Sequence, residues 1–150
     1  SHAELGNNAQ LARILGCSAE GRFGERDIGW HGRLARPANL AELLRTITEK
    51  LQRPPQAFGE ALANGRPLSR VAWCSGGAQN LFEQAIALGV DVFVSGEVSE
   101  QTVHLARESG VAYVAAGHHA TERGGVKALA ADLAQHFGLE CEFVDIDNPV

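Results

Sequence analysis

The segment AAGHHATERGGVKAL, residues 115–129, sets two adjacent histidines just ahead of a glutamate. If a helix begins after Gly117, His118 and Glu122 stand at i and i+4 and point the same way, so they can ligate one cation or the two members of a metal pair. His119 and Glu122, at i and i+3, are the second arrangement. Imidazole and carboxylate together suit zinc, manganese, iron or nickel, and two ligands do not choose among them. The plain alternative is that Thr121 and Glu122 favour a helix N-terminus, with both histidines as surface or capping groups. Two ligands are too few for a complete site, so other segments or subunits must contribute.

A second polar set is Glu97, Glu100 and His104 in SGEVSEQTVH. Glu100 and His104 share a helix face at i, i+4. An imidazole with an ordinary pKa of ~6.5 can move a proton or meet a substrate near neutral pH. Glu97 is the other proton or substrate contact expected there, and the competing reading is a solvated face with Glu100 paired to His104. CSGGAQ, residues 74–79, places two glycines at a strand-to-helix turn, where backbone N–H groups can approach an anion. It has neither the Lys-Ser/Thr ending of a P-loop nor the GxGxxG spacing, so a tight structural turn competes with that reading. Cys74 closes an apolar strand and reads as packing rather than as a nucleophile. His2, His31 and His136 have no partners at ligand spacing and read as structural or exposed.

Elements to position these residues follow from the hydrophobic pattern. In GNNAQLARILG, Asn7 or Asn8 is the expected N-cap, Leu11, Ile14 and Leu15 share a face, and Gly16 stops the helix. Residues 19–37 read as a hairpin or two edge strands. Pro37 and Asn39 introduce a helix whose face is Leu40, Leu43, Leu44, Ile47 and Leu51. Residues 53–69, rich in proline and glycine, read as loop with one short helix or strand, and mark the best boundary. From Arg70 the pattern is strand then helix, repeated: RVAWC, DVFVSG and VAYVAAG as strands, each followed by a helix, with LECEFVDI as a closing strand. Such alternation predicts βαβ units and a mostly parallel or mixed sheet. The fold class expected is α/β in two small lobes, with residues 1–69 the remainder of a helix and hairpin lobe and 70–150 the α/β lobe carrying GHHATE. Ligands on such sheets sit beyond the carboxyl ends of the strands. CSGGAQ, SGEVSE and AGHHATE are therefore expected on one rim.

Composition narrows the classes. With 45% hydrophobic residues, 21% charged and a net charge of -5, the 150 residues are those of an ordinary soluble globular protein, with no basic block to favour a nucleic-acid groove. Nothing approaches the ~18 apolar residues of a membrane span. Cys17, Cys74 and Cys141 are odd in number and lack a CxxC pair, which fits a reducing, cytoplasmic setting and buried or semi-buried structural thiols. There is no methionine and the chain opens at Ser1, which reads as a processed product or a piece of a longer protein.

Taken together, GNNAQLA, VAWCSGGAQ, VSGEVSEQTVHLARESG, AAGHHATERGGVKAL and FVDIDNP resemble the C-terminal portion of the GTP cyclohydrolase 1 type 2 homologue family, the Nif-three-like dinuclear metal proteins, from Glu4 to Pro149. The resemblance implies a two-lobed α/β protein assembled as a toroidal homohexamer, with two divalent metal ions per full-length subunit. It implies His118 and Glu122 as metal ligands, Glu122 bridging both ions, while the role of His119 stays open. The family's remaining ligands, a His-His pair and an aspartate ahead of the ELGNNAQ run, have no counterpart in these residues. The expectation is therefore that this chain alone binds metal weakly or not at all. The function implied is metal-dependent hydrolysis of a nucleotide-like substrate, with His104 and Glu97 as catalytic contacts; a non-catalytic metal-binding scaffold is the alternative.

Overall fold

The three apolar strands expected after Arg70 form the middle of the sheet, in parallel, in a computed structural model that describes residues 2–59 and 65–149. In chain order the elements are α1 (Asn7–Leu15), β1 (Cys17–Phe23), β2 (Gly29–Ala38), α2 (Leu40–Leu51), β3 (Gln56–Phe58), β4 (Leu68–Trp73), α3 (Phe82–Ala87), β5 (Val92–Ser95), α4 (Glu100–Ser109), β6 (Ala112–Ala115) and α5 (His118–Phe137). The sheet order is β1-β2-β4-β5-β6-β3. β1 and β2 are the expected antiparallel hairpin, and β2 joins β4 antiparallel, so only β1 of that pair lies at an edge. β3, from the proline-rich stretch, pairs antiparallel with β6. Residues 60–64 of that stretch lie outside the described residues. The α/β class holds, but one mixed six-stranded sheet draws strands from both halves of the chain, and the two expected lobes are not distinct in it.

Strand alternation divides the core between the two sheet faces. Val71, Trp73, Val92, Val94 and Val114 pack with Leu11 and Leu15 of α1 and with Leu40, Leu43, Ile47 and Leu51 of α2. Phe93 and Tyr113 pack on the other side with Phe23, Phe82, Ala85 and Ala106. Every residue of β5 and β6 is buried. The central strands are therefore fixed from both faces, and the loops leaving their ends start from rigid positions.

Helix limits follow local chemistry. Asn39 accepts from the Glu42 N–H and Glu42 accepts from the Asn39 N–H, both at 2.9 Å, a reciprocal cap that starts α2. Gly16, in the left-handed region at φ 66°, ends α1 as expected. The expected N-cap of α1 is corrected: Gly6 holds that position, and both asparagines lie inside the helix. Their side chains serve distant backbone instead. Asn7 accepts from the Gly125 N–H, while Asn8, buried, donates to the Ile28 carbonyl and accepts from the Ser75 N–H.

LECEFVDI is also corrected. Residues 138–149 form no strand and pair with none of the six strands of the sheet among the described residues. Val144 and Ile146 are instead exposed. Cys74 is buried and Cys17 half-buried, as expected of structural thiols, whereas Cys141 is exposed on this segment. Burial pushes the Cys17 thiol up to about 12 and raises that of Cys74 as well.

Candidate metal centre

α5 begins at His118 itself, directly after β6 and the two-residue link Ala116–Gly117. That start brings the i, i+4 geometry about: His118 Nε2 stands 3.3 Å from Glu122 Oε2. The other imidazole nitrogen, Nδ1, meets Glu97 Oε1 at 2.6 Å. Glu97 follows β5 and its carboxylate also receives the Gln79 amide at 3.3 Å. The side chains of His118, Glu97 and Glu122 are 40%, 35% and 44% exposed, so the group is open to solvent and to a ligand.

The CSGGAQ turn lies against this group as structure rather than as an anion cradle. The Ser75 N–H goes to Asn8, the Gly76 N–H to Thr121 Oγ1 and the Ala78 N–H to Ser95 Oγ. Those donors are committed internally and are not free for an anion. The glycines serve close approach instead. A Cβ on Gly76, whose φ is +71°, would lie 2.6 Å from Glu122 Oε1 and 3.1 Å from His118 Nε2; one on Gly77 would lie 3.1 Å from the Glu97 carboxylate. Gly96 is equally tight, with a Cβ position 2.7 Å from both the Gly76 carbonyl oxygen and His118 Cα. The expected convergence of three strand-end loops is therefore present, and small residues make it possible.

Charge in the group is strongly coupled. The hydrogen bond to Glu97 raises the His118 pKa above the ordinary imidazole value, and Glu122 adds to the rise. Reciprocally, His118 and then Gln79 hold the Glu97 carboxyl below its ordinary range. Two carboxylates flanking one imidazole make a place where a cation is favoured.

Does the donor set fit a metal ion? Two donors, each ~2.0–2.1 Å from a tetrahedral ion, stand about 3.3 Å apart. The His118 Nε2–Glu122 Oε2 separation is 3.3 Å. A neutral imidazole nitrogen and a carboxylate oxygen are also ordinary zinc, manganese and iron donors. The pair therefore fits as part of a centre. Among the described residues no group of three or more His, Cys, Asp or Glu side chains gathers to hold an ion.

The other sequence candidates separate. His119 turns from the pair and meets Asp145 at 3.1 Å, with Arg123 on the same carboxylate at 2.6 Å. The i, i+3 arrangement of His119 with Glu122 is thus not formed. His104 lies on α4 in a groove it shares with Gln79, Glu83, Thr102 and Glu108. Gln79 both lines that groove and donates to Glu97, and no hydrogen bond or ion pair among the described residues joins His104 to His118, Glu122 or Glu100. His136 pairs with Asp132 at i, i+4. Sequence reasoning missed Asn8, Gln79, Ser95, Tyr113 and Thr121. Thr121 bonds the His118 carbonyl and receives the Gly76 N–H. Tyr113, inside the aromatic cluster, donates to the Glu97 carbonyl. Asn8 and Thr121 do carry a legible signal, but it points to a helix cap and a helix start rather than to these contacts.

No helix of the described residues is long and apolar enough to cross a membrane. Against known proteins, a family model described as Duf34/NIF3 (NGG1p interacting factor 3) matches residues 1–149. The GTP cyclohydrolase 1 type 2 homolog of Pseudomonas aeruginosa is 49% identical over 151 residues, covering 99% of this chain and 58% of its own length. That of Escherichia coli K12 is 47% identical over 149 residues, covering 99% and 59%. The solved structure of the protein ybgI, described as of unknown function, superposes with a TM-score of 0.92 at 46% identity, covering 99% of this chain and 59% of that one. One from Thermus thermophilus superposes at 0.84 with 30% identity, covering 100% and 58%. The chain thus spans 58% of the length of the Pseudomonas relative and 59% of that of the Escherichia one. Matched along nearly its whole length in both sequence and fold, and similar to relatives named GTP cyclohydrolase 1 type 2 homolog, the chain belongs to the Duf34/NIF3 (NGG1p interacting factor 3) family.

Proposed function

We propose that this chain supplies two ligands, His118 and Glu122, to a dinuclear divalent-metal centre in a hydrolase-like protein acting on nucleotide-like substrates. The observation that carries the reading is the 3.3 Å separation of imidazole nitrogen and carboxylate oxygen on the first turn of α5. Bound divalent ions supply Lewis acidity, which activates water and polarises the bond to be cleaved. The protein's own residues hold and shape the place. Glu122 would offer its carboxylate and His118 its Nε2 to such an ion, and Gly76 leaves room beside both. A groove of about 450 Å³ opens next to Glu122, lined by His2, Leu5, Asn7, Val126 and Leu129, a volume in the range of small-ligand sites. The remaining ligands come from protein outside these residues or from another subunit, in keeping with the greater length of the relatives.

A second reading, a metal-binding scaffold that assembles into a toroidal hexamer, is favoured by one observation. α5 leaves Val126, Leu129 and Phe137 exposed, with Leu139 just beyond. Exposed apolar groups on one element suit a protein surface. A panel of nucleotides offered to the metal-loaded protein, at the full length of its relatives, separates the readings. Turnover lost in Glu122→Ala supports the hydrolase. Absence of turnover in a protein that holds its metal and forms the ring favours the scaffold.

A further inference from the structure

The contact between Glu97 and His118 has a directional consequence. An ionised carboxylate only accepts hydrogen bonds, so the 2.6 Å contact with Glu97 Oε1 requires the proton on Nδ1. In a neutral imidazole this leaves the lone pair on Nε2, the nitrogen that stands 3.3 Å from Glu122 Oε2. Lone pair and carboxylate then face each other, and a cation between them resolves the repulsion. We propose that Glu97 is a positioning residue: it fixes the His118 tautomer and ring orientation so that Nε2 is presented, unprotonated, beside Glu122.

The surroundings of Glu97 hold its carboxylate and its backbone in place for that role. Its second oxygen, Oε2, is held by the Gln79 amide, and the Gln79 Oε1 is left buried with no partner among the described residues. Gln79 keeps its donor on Glu97 at the expense of its own acceptor, so the Glu97 carboxylate is gripped at both oxygens. Tyr113, locked against Phe82 at 4.9 Å between ring centroids, donates to the Glu97 carbonyl and fixes its backbone. Gly77 closes over the carboxylate, whose atoms lie 3.1–3.2 Å from where a Cβ would stand. This reassigns Glu97 from the proton or substrate contact expected from sequence. A histidine that gives its far nitrogen to a carboxylate while its near one faces a ligand position is a recurrent arrangement in metal sites, and its loss typically costs 10–100-fold in metal affinity.

The inference rests on the metal reading of His118 and Glu122 for its purpose, but its core is testable in the metal-free chain. Nitrogen-15 NMR of the imidazoles, under alkaline conditions that keep them neutral, reports which nitrogen carries the proton. The expected result is His118 with its proton on Nδ1, shifting towards the Nε2–H form in Glu97→Ala. Gly77→Ala, which keeps the carboxylate but crowds it, moves the balance the same way by less. An unchanged tautomer in Glu97→Ala overturns the proposal. Zinc added to the same samples gives the second readout through the His118 resonances: Glu97→Ala requires about 10–100-fold more zinc for the same shift, and equal affinity overturns the proposal. If zinc leaves wild-type His118 unmoved, as two ligands of an incomplete centre allow, the tautomer result alone decides the role of Glu97.

Discussion

The rim at the ends of β5 and β6 and the segment after α5 are both patterned for extended structure, and they end differently. Val92–Ser95 and Ala112–Ala115 are wholly buried, paired on each side, and lead straight into Glu97 and His118. Residues 138–149 carry the strand-forming types Phe143, Val144 and Ile146, yet run over the surface. Side chains tether that segment: Asp145 by His119 and Arg123, the Asn148 and Pro149 carbonyls by Arg53, and Phe143 under Lys127 with its ammonium 4.4 Å from the ring centroid. Side-chain pattern specifies a strand only where an edge is present to complete its ladder. The twin histidines divide along the same line, His118 serving the rim and His119 the C-terminal segment.

The largest effect comes from breaking the support of the rim. Phe93→Ala removes a fully buried ring that contacts Phe23, Phe82 and Tyr113. It should cost about 3–5 kcal/mol, read as a lowered denaturant midpoint at unchanged slope. Next is Gly96→Ala, whose Cβ would press on the Gly76 carbonyl and on His118 Cα. We expect about 1–3 kcal/mol of destabilisation together with altered His118 resonances. A substitution that left both unchanged would contradict the close packing of the three loops.

The C-terminal segment should respond more weakly. Asp145→Ala removes the solvent-screened ion pairs to His119 and Arg123, so it should leave global stability nearly unchanged, yet speed hydrogen exchange and proteolysis across residues 139–149 and leave the Glu97–His118 contact intact. Acid should do the same. His119 and then Arg123 hold the Asp145 carboxyl below its ordinary value of 3.8. A depressed folded pKa means that this tether is complete above the unfolded value and fades as pH falls through the folded one. Exchange in the segment should therefore rise on acidification within that window. Smallest, and a check on burial alone, is thiol labelling: at mildly alkaline pH Cys141 should react first, while Cys17 and Cys74 stay protected by burial.

Legibility in the sequence depends on the range of the interaction. Leu40 to Leu51 repeat at helical spacing, Asn39 and Glu42 cap locally, and the strands after Arg70 are apolar enough to need no partner's identity. His118 and Glu122 are readable because an i, i+4 relation is contained in the sequence itself. Glu97 stands out by type, but its contact with His118 is not legible there, since that partner lies 21 residues away and only the parallel order of β5 and β6 brings them together. Asn8 misleads because its residue type favours a helix cap, whereas burial against Ile28 and Ser75 decides its use. The closing strand fails for a related reason, because a ladder needs two chains and a sequence pattern describes one.

The most direct test of the central claim is a zinc titration of this chain, followed by calorimetry and by the His118 nitrogen resonances. Two donors without their complement predict weak binding that shifts Nε2 of His118 and disappears in Glu122→Ala. Sub-micromolar binding of two ions per chain would contradict an incomplete centre, and zinc binding that leaves His118 untouched would contradict the assignment of the pair.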